Sequence, residues 1–191
     1  WMQQWAKEKK AVLCGSLAVE ENGQYYNRLL WVQPSGEILT YDKRHLFSLS
    51  NEQEQYTAGE ERLIVDYKGW KICPLICYDL RFPVWSRNTE QYDLLLYVAN
   101  WPERRNYAWQ SLLIARAIEN QCYVAAVNRV GKDAHDVVHS GDTMVVDAVG
   151  VVLQHAEYMQ AVVYATLDKS ELLKMRSALP FLKDGDTFEI K

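Results

Sequence analysis

The chain has 191 residues, 49% of them apolar, with seven Trp and twelve Tyr, which is material for one packed domain, or two small ones at most, and excludes a disordered chain. A net charge of −4 and a pI near 5.6 give no general pull toward nucleic acid or an anionic membrane, and no run approaches the roughly 18 apolar residues of a membrane-spanning helix. Cys14, Cys73, Cys77 and Cys122 lack the C-x-x-C spacing of a redox or zinc pair and read as reduced thiols of a cytoplasmic protein.

Trp1 to Lys10 mixes apolar and charged residues at helical spacing and reads as the end of a helix. Ala11 to Val19, Tyr25 to Val32 and Glu37 to Tyr41 are strands of a meander, turned at Asn22-Gly23 and Pro34-Ser35-Gly36. A polar loop follows from Ser48 to Glu61. Leu63 to Tyr67 and Lys71 to Cys77 flank a turn at Lys68-Gly69. Pro74 lacks an N–H for a ladder and places that strand at an edge or a bulge. Pro83 to Arg87 suits a short helix. Asp93 to Ala99 is an apolar run of the kind buried on both faces. A helix from about Tyr107 to Asn120 carries Trp109, Leu112, Leu113, Arg116 and Ala117 on one face. Cys122 to Val130 is a strand, followed by a polar loop to Gly141. Thr143 to Asp147, Val151 to Gln154 and Val162 to Thr166 are the last strands. Asp168-x-x-Glu171 forms a capping box for a helix to Leu179, stopped by Pro180. Hairpins at both ends and strand–helix–strand between them make a mixed α/β domain.

Cys77 ends a buried strand and enters a helical turn, where the helix dipole favours a thiolate; it reads as a nucleophile or as a small buried apolar residue. Lys43, at a strand end within Tyr41-Asp42-Lys43-Arg44-His45-Leu46-Phe47, reads either as a solvated charge or as a fixed cation aimed at an oxyanion. Asp79 and Arg81 are spaced to pair with each other. His135-Asp136-Val137-Val138-His139 has the histidine spacing of a zinc helix, but its acid is Asp and glycines bracket it. His45 with Cys77 would be a papain-like pair. There is no G-x-S-x-G, P-loop or G-x-G-x-x-G.

Five blocks together resemble the nitrilase, or carbon–nitrogen hydrolase, superfamily. They are Lys43-Arg44-His45-Leu46-Phe47, Cys77-Tyr78-Asp79-Leu80-Arg81-Phe82-Pro83, Ala115 to Asn120, Asn128-Arg129-Val130-Gly131 and Ser140 to Asp147. Phe82 to Asn88 and Tyr97 to Pro102 are most similar to the bacterial omega-amidase branch. The resemblance implies a four-layer α-β-β-α sandwich that pairs with a second copy across its helices. It implies Cys77 as nucleophile, Lys43 as oxyanion stabiliser with a backbone N–H such as that of Tyr78, and Glu52, seven residues before Gly59, as the glutamate that orients Lys43 and the amide. It implies no metal or organic cofactor. The family's general-base glutamate has no match here, so residues 1–191 are expected to form a single domain lacking roughly the first sixty residues of the usual one.

On this reading the chain is an amidohydrolase of small ω-amides such as 2-oxoglutaramate, working through a thioester on Cys77. Tyr78, Arg81, Asn100 and Trp101 are the expected substrate contacts, with simple packing the alternative for each, and Arg81 is the docking point for a substrate carboxylate. The alternatives are a carbamoyl-amine hydrolase or nitrilase of the same superfamily, and a non-catalytic binding or scaffold subunit. The expected partners are a small amide and a second copy of the chain, with no nucleic acid and no membrane.

Overall fold

A computed structural model describes residues 1–190 of the protein. The first helix, α1 (Met2–Lys9), stops where Lys10 turns left-handed at φ 52°. It leads into an antiparallel sheet of β1 (Leu13–Glu21), β2 (Gln24–Val32) and β3 (Ile38–Asp42). Asn22 and Gly23 both have positive φ, the hairpin turn whose twist matches that of its strands. That turn sets Glu21 opposite Gln24 and, at the other end of the nine-residue β1, Cys14 and Leu13 opposite Trp31 and Val32.

The second sheet holds β4 (Val65–Tyr67), β5 (Trp70–Ile76), β6 (Leu94–Ala99), β7 (Tyr123–Asn128), β8 (Val130–Lys132), β9 (Val138–Val146) and β10 (Val152–Glu157). Its order is β10-β9-β7-β6-β5-β4, with β8 paired to β9. β5, β6 and β7 run parallel, and the other pairings are antiparallel. β6, Leu-Leu-Leu-Tyr-Val-Ala, is apolar on both faces, as a covered parallel strand must be. Pro74 is tolerated because β4 pairs only Trp70 to Ile72; beyond Ile72 that side of β5 is an edge, as the sequence predicts.

α1 lies on β1 and β2, β2 faces β5, and α2 (Asn106–Asn120) packs on β7 and β9. The layers are therefore α-β-β-α. One core cluster runs through both sheets, from Leu29 and Trp31 to Leu95, Val124 and Val146, and takes in Trp109, Leu113 and Ala117 from α2. Each large apolar side chain buried there contributes roughly 1.5–3 kcal/mol. α3 (Lys169–Ala178) is tied down at Asp93, whose carboxylate accepts from Lys169 at 2.7 Å and Arg176 at 3.2 Å. Asp168 caps α3 by accepting from Ser170 N and Glu171 N. Glu171 pairs with Lys174 and does not reach back, so only half of the expected box forms.

Three expectations are corrected. Pro83 to Arg87 forms turns, and the helical segment lies earlier, as a 3₁₀ turn over Cys77–Arg81. The expected loop before Gly141 is instead the β8–β9 hairpin. Its polar residues mislead because Ser140 and Asp142 are fully buried and pair with each other. Asp142 also accepts from Gln110 and bonds His155. Val162 to Thr166 forms no strand, and Val162 and Tyr164 are exposed. The sheet already ends at β10, so no ladder partner meets them among the described residues.

Candidate active site

Lys43 directly follows β3, Cys77 follows β5, Asn100 and Trp101 follow β6, and Asn128 ends β7. All of them line one cleft of about 790 Å³. A crevice at the carboxyl ends of parallel strands is where open α/β sheets place their ligands.

Cys77 sits at φ +44°, a conformation that costs an L-residue roughly 1–2 kcal/mol. Asp79, two residues on, holds the turn by accepting from the Ile76 N–H at 3.1 Å. The same carboxylate, fully buried, accepts from the Tyr41 hydroxyl at 2.7 Å, the His45 N–H at 3.0 Å and His45 Nδ1 at 2.8 Å. Tyr41 and His45 stand two residues either side of Lys43. Asp79 therefore staples the lysine segment to the cysteine turn. Replacing Asp79 by Ala leaves these donors without an acceptor, and the expected loss is about 3 kcal/mol of stability, read as a lower urea midpoint.

Two further contacts fix Lys43. Its ammonium, 4% exposed, meets Glu52 Oε2 at 2.5 Å. The Gly59 N–H donates to the Lys43 carbonyl at 3.0 Å. A Cβ at Gly59 would lie 2.2 Å from the Asp42 carbonyl oxygen, so only glycine lets the two backbones approach this closely. Glu52 in turn accepts from Asn27 Nδ2 at 3.0 Å and the Phe47 N–H at 2.6 Å. Burial pushes its carboxyl up, but the Lys43 charge and the hydrogen bonds from Lys43, Asn27 and Phe47 outweigh burial and hold it below its ordinary value. Glu52 is thus kept as an ionised partner for the ammonium.

The Cys77 thiol is pushed up from its ordinary value by removal from bulk water, against the Lys43 charge and a backbone hydrogen bond from Asn100. The thiolate that the helix start is expected to favour is therefore not the resting form. The turn over Cys77–Arg81 is one short 3₁₀ segment, and its dipole is too small to offset desolvation. A thiol placed so needs a base to take its proton before it can attack.

The other sequence candidates divide. Tyr78 lines the cleft, edge-on to Phe47 at 4.9 Å. Asn100 is exposed to the cleft. Trp101 is 3% exposed and mainly structural: its N–H donates to Asn128 Oδ1 and its indole N–H to the Arg105 carbonyl. Arg81 does not pair with Asp79, whose acceptors are already taken; it lies over the Trp101 ring at 4.8 Å. His45 stacks on Phe82 at 3.7 Å and bonds Asp79, so it is no partner for Cys77. His135 and His139 line the cleft but sit on the β8–β9 hairpin, and His139 Nδ1 bonds the Val137 carbonyl, so the spacing of a zinc helix is lost. Asn27 and Arg105 also meet the site, from segments that the sequence does not single out; a polar residue beside a turn gives no periodic signal.

A four-layer sandwich that opens a cysteine- and lysine-lined crevice at its parallel strand ends is the architecture of one class of amide-bond hydrolases. The chain belongs to the carbon-nitrogen hydrolase family, whose model matches residues 1–177. It is similar to the omega-amidase YafV of Yersinia enterocolitica, 48% identical over 189 residues that span 98% of this chain and 74% of the relative. It is also similar to the 2-oxoglutaramate amidase of Bacillus subtilis, 38% identical over 96% of this chain and 72% of the relative. Among solved structures, XC1258 of Xanthomonas campestris, a CN-hydrolase superfamily protein with an arsenic adduct in its active site, superposes with a TM-score of 0.98 at 45% identity, covering 100% of this chain and 75% of that one.

Proposed function

We propose that the protein is an omega-amidase that hydrolyses the terminal amide of small open-chain dicarboxylic acid monoamides such as 2-oxoglutaramate, with Cys77 as nucleophile. The observation that carries this reading is the convergence of the strained Cys77 turn with the Lys43–Glu52 pair in one cleft. The relatives named omega-amidase and 2-oxoglutaramate amidase support the choice of amide.

The chemistry follows from the groups present. A base removes the thiol proton, and the Cys77 sulfur attacks the amide carbon, forming the S–C bond as the carbonyl electron pair moves onto oxygen. That oxyanion lies against Lys43 and the backbone N–H of Tyr78. Collapse breaks the C–N bond, the nitrogen takes a proton, and ammonia leaves a thioester on Cys77. Water then adds to the thioester, and the carboxylic acid and the free thiol separate. Glu52 is not the base, because both of its oxygens already accept from Lys43, Asn27 and the Phe47 N–H, and these donors lower its affinity for a proton. The proton acceptor is a further base, to which none of residues 1–190 is assigned. Tyr78, Arg81, Asn100 and Trp101 border the substrate, Trp101 through the residues it positions.

The setting is proposed as cytoplasmic, supported by four free thiols with no disulfide. No helix among the described residues is long and apolar enough to cross a membrane. Pairing with a second copy is proposed across the α2 side, where Tyr107 is 83% exposed and Ile118 50%.

The test is stoichiometric ammonia release from 2-oxoglutaramate by the protein as its gene encodes it. Release matched by 2-oxoglutarate is the expected result. Cys77-dependent turnover of carbamoyl amines or nitriles with none of the ω-amide would overturn the substrate assignment.

A further inference from the structure

Outside the cleft the arginines each meet a carboxylate or, as Arg44 and Arg87 do, a backbone carbonyl oxygen. Arg28, Arg62, Arg116 and Arg176 each meet a carboxylate. Arg81 and Arg105, both lining the cleft, meet none among the described residues. Each is instead laid on an aromatic face: Arg81 over Trp101 at 4.8 Å and Arg105 over Phe47 at 5.1 Å. The Arg105 backbone is fixed by the indole N–H of Trp101, at 2.8 Å from its carbonyl. The acids of the same cleft are occupied. Glu52 holds Lys43, and Asp133 accepts from the N–H groups of His135 and Val137 in its own turn.

We propose that Arg105, together with Arg81, binds the free carboxylate at the far end of the substrate and so selects ω-amides of dicarboxylic acids over neutral amides. This rests on the amidase reading above and adds the specificity-determining residue to it. Planar guanidiniums match a carboxylate in charge and geometry, and the aromatic faces fix their planes before substrate arrives. Burial, then the charges of Arg104 and Arg81, hold Arg105 below its ordinary value. An arriving anion relieves this crowding. Arg104 is exposed and lies outside the clamp.

The experiment compares kcat/KM for 2-oxoglutaramate with kcat/KM for pentanamide, a neutral amide of equal chain length. In Arg105→Gln the ratio of the two is expected to fall on the order of 100-fold, chiefly through KM for the charged substrate. Arg104→Gln removes the same charge from the same rim and is expected to move the ratio less than about threefold. Titration of the Cys77→Ser protein with 2-oxoglutarate gives a readout independent of turnover, and the added Arg105→Gln change is expected to weaken binding at least about tenfold. An unchanged ratio and unchanged binding in Arg105→Gln would overturn the clamp while leaving ω-amide hydrolysis intact. Arg105-dependent binding of 2-oxoglutarate by a protein that does not turn over 2-oxoglutaramate would overturn the reaction and uphold the clamp.

Discussion

Cys77→Ala is expected to lower kcat for ω-amide hydrolysis by at least about 10⁴-fold, because the other thiol that lines the cleft, Cys14, lies within β1 and is pushed up to about 12 by burial, so it cannot take over as nucleophile. The loss should appear in kcat, in single turnover as well as steady state, while the variant still binds the product acid. A second signature separates a strained nucleophile from an ordinary buried cysteine. At φ +44° alanine keeps the Cβ strain and glycine removes it, so Cys77→Gly is expected to be more stable than Cys77→Ala by about 1 kcal/mol. Urea denaturation of the two variants measures the difference. Activity that survives in Cys77→Ala would exclude the thioester route. Equal stability of the two variants would mean that the turn carries no strain that the fold must hold.

The parts of this site that were legible in the sequence are those carried by local pattern. The apolar run of β6 and the α2 face of Trp109, Leu113 and Ala117 follow from periodicity. The cysteine and lysine blocks stand at strand ends, where the resemblance places them. The parts that were not legible depend on partners distant in the chain. Asp79 pairs by spacing with Arg81, yet its partners Tyr41 and His45 lie 38 and 34 residues away. The pairing goes that way because a fully buried carboxylate needs several donors, and the β3 extension supplies them while Arg81 faces the cleft. The first part of β9 reads as loop because His139 and Ser140 are polar, and polarity ordinarily marks exposure. Here Ser140 and Asp142 are satisfied by one another, by Gln110 and by His155. Arg105 reads as one charge in a solvated Glu-Arg-Arg stretch; only the fold shows that it lies on the Phe47 ring and lines the same cleft as Arg81.

Glu52→Gln is expected to reduce kcat on the order of 100-fold, because it uncouples Lys43 from the position of the oxyanion. Glutamine preserves size and can still accept from the Phe47 N–H, but it removes the charge 2.5 Å from an ammonium that is only 4% exposed. A buried ammonium without its anion either moves toward solvent or weakens the fold, and either outcome takes it from Cys77. The pH dependence gives the sign. Glu52 is held below its ordinary 4.5 in the folded protein, so the folded state binds its proton less readily than the unfolded chain does. The stability from this group is therefore fully present above the unfolded value and is lost as pH falls through the depressed folded value. In the parent, stability and activity should decline together over that acid range as the pair with Lys43 breaks. In Glu52→Gln that part of the decline should be absent, and the stability gap between parent and variant should narrow as the solution is acidified. A gap that stays constant from neutral pH into the acid range would show that the carboxylate charge does not hold Lys43, and that Glu52 acts only through its size and its bond to Phe47.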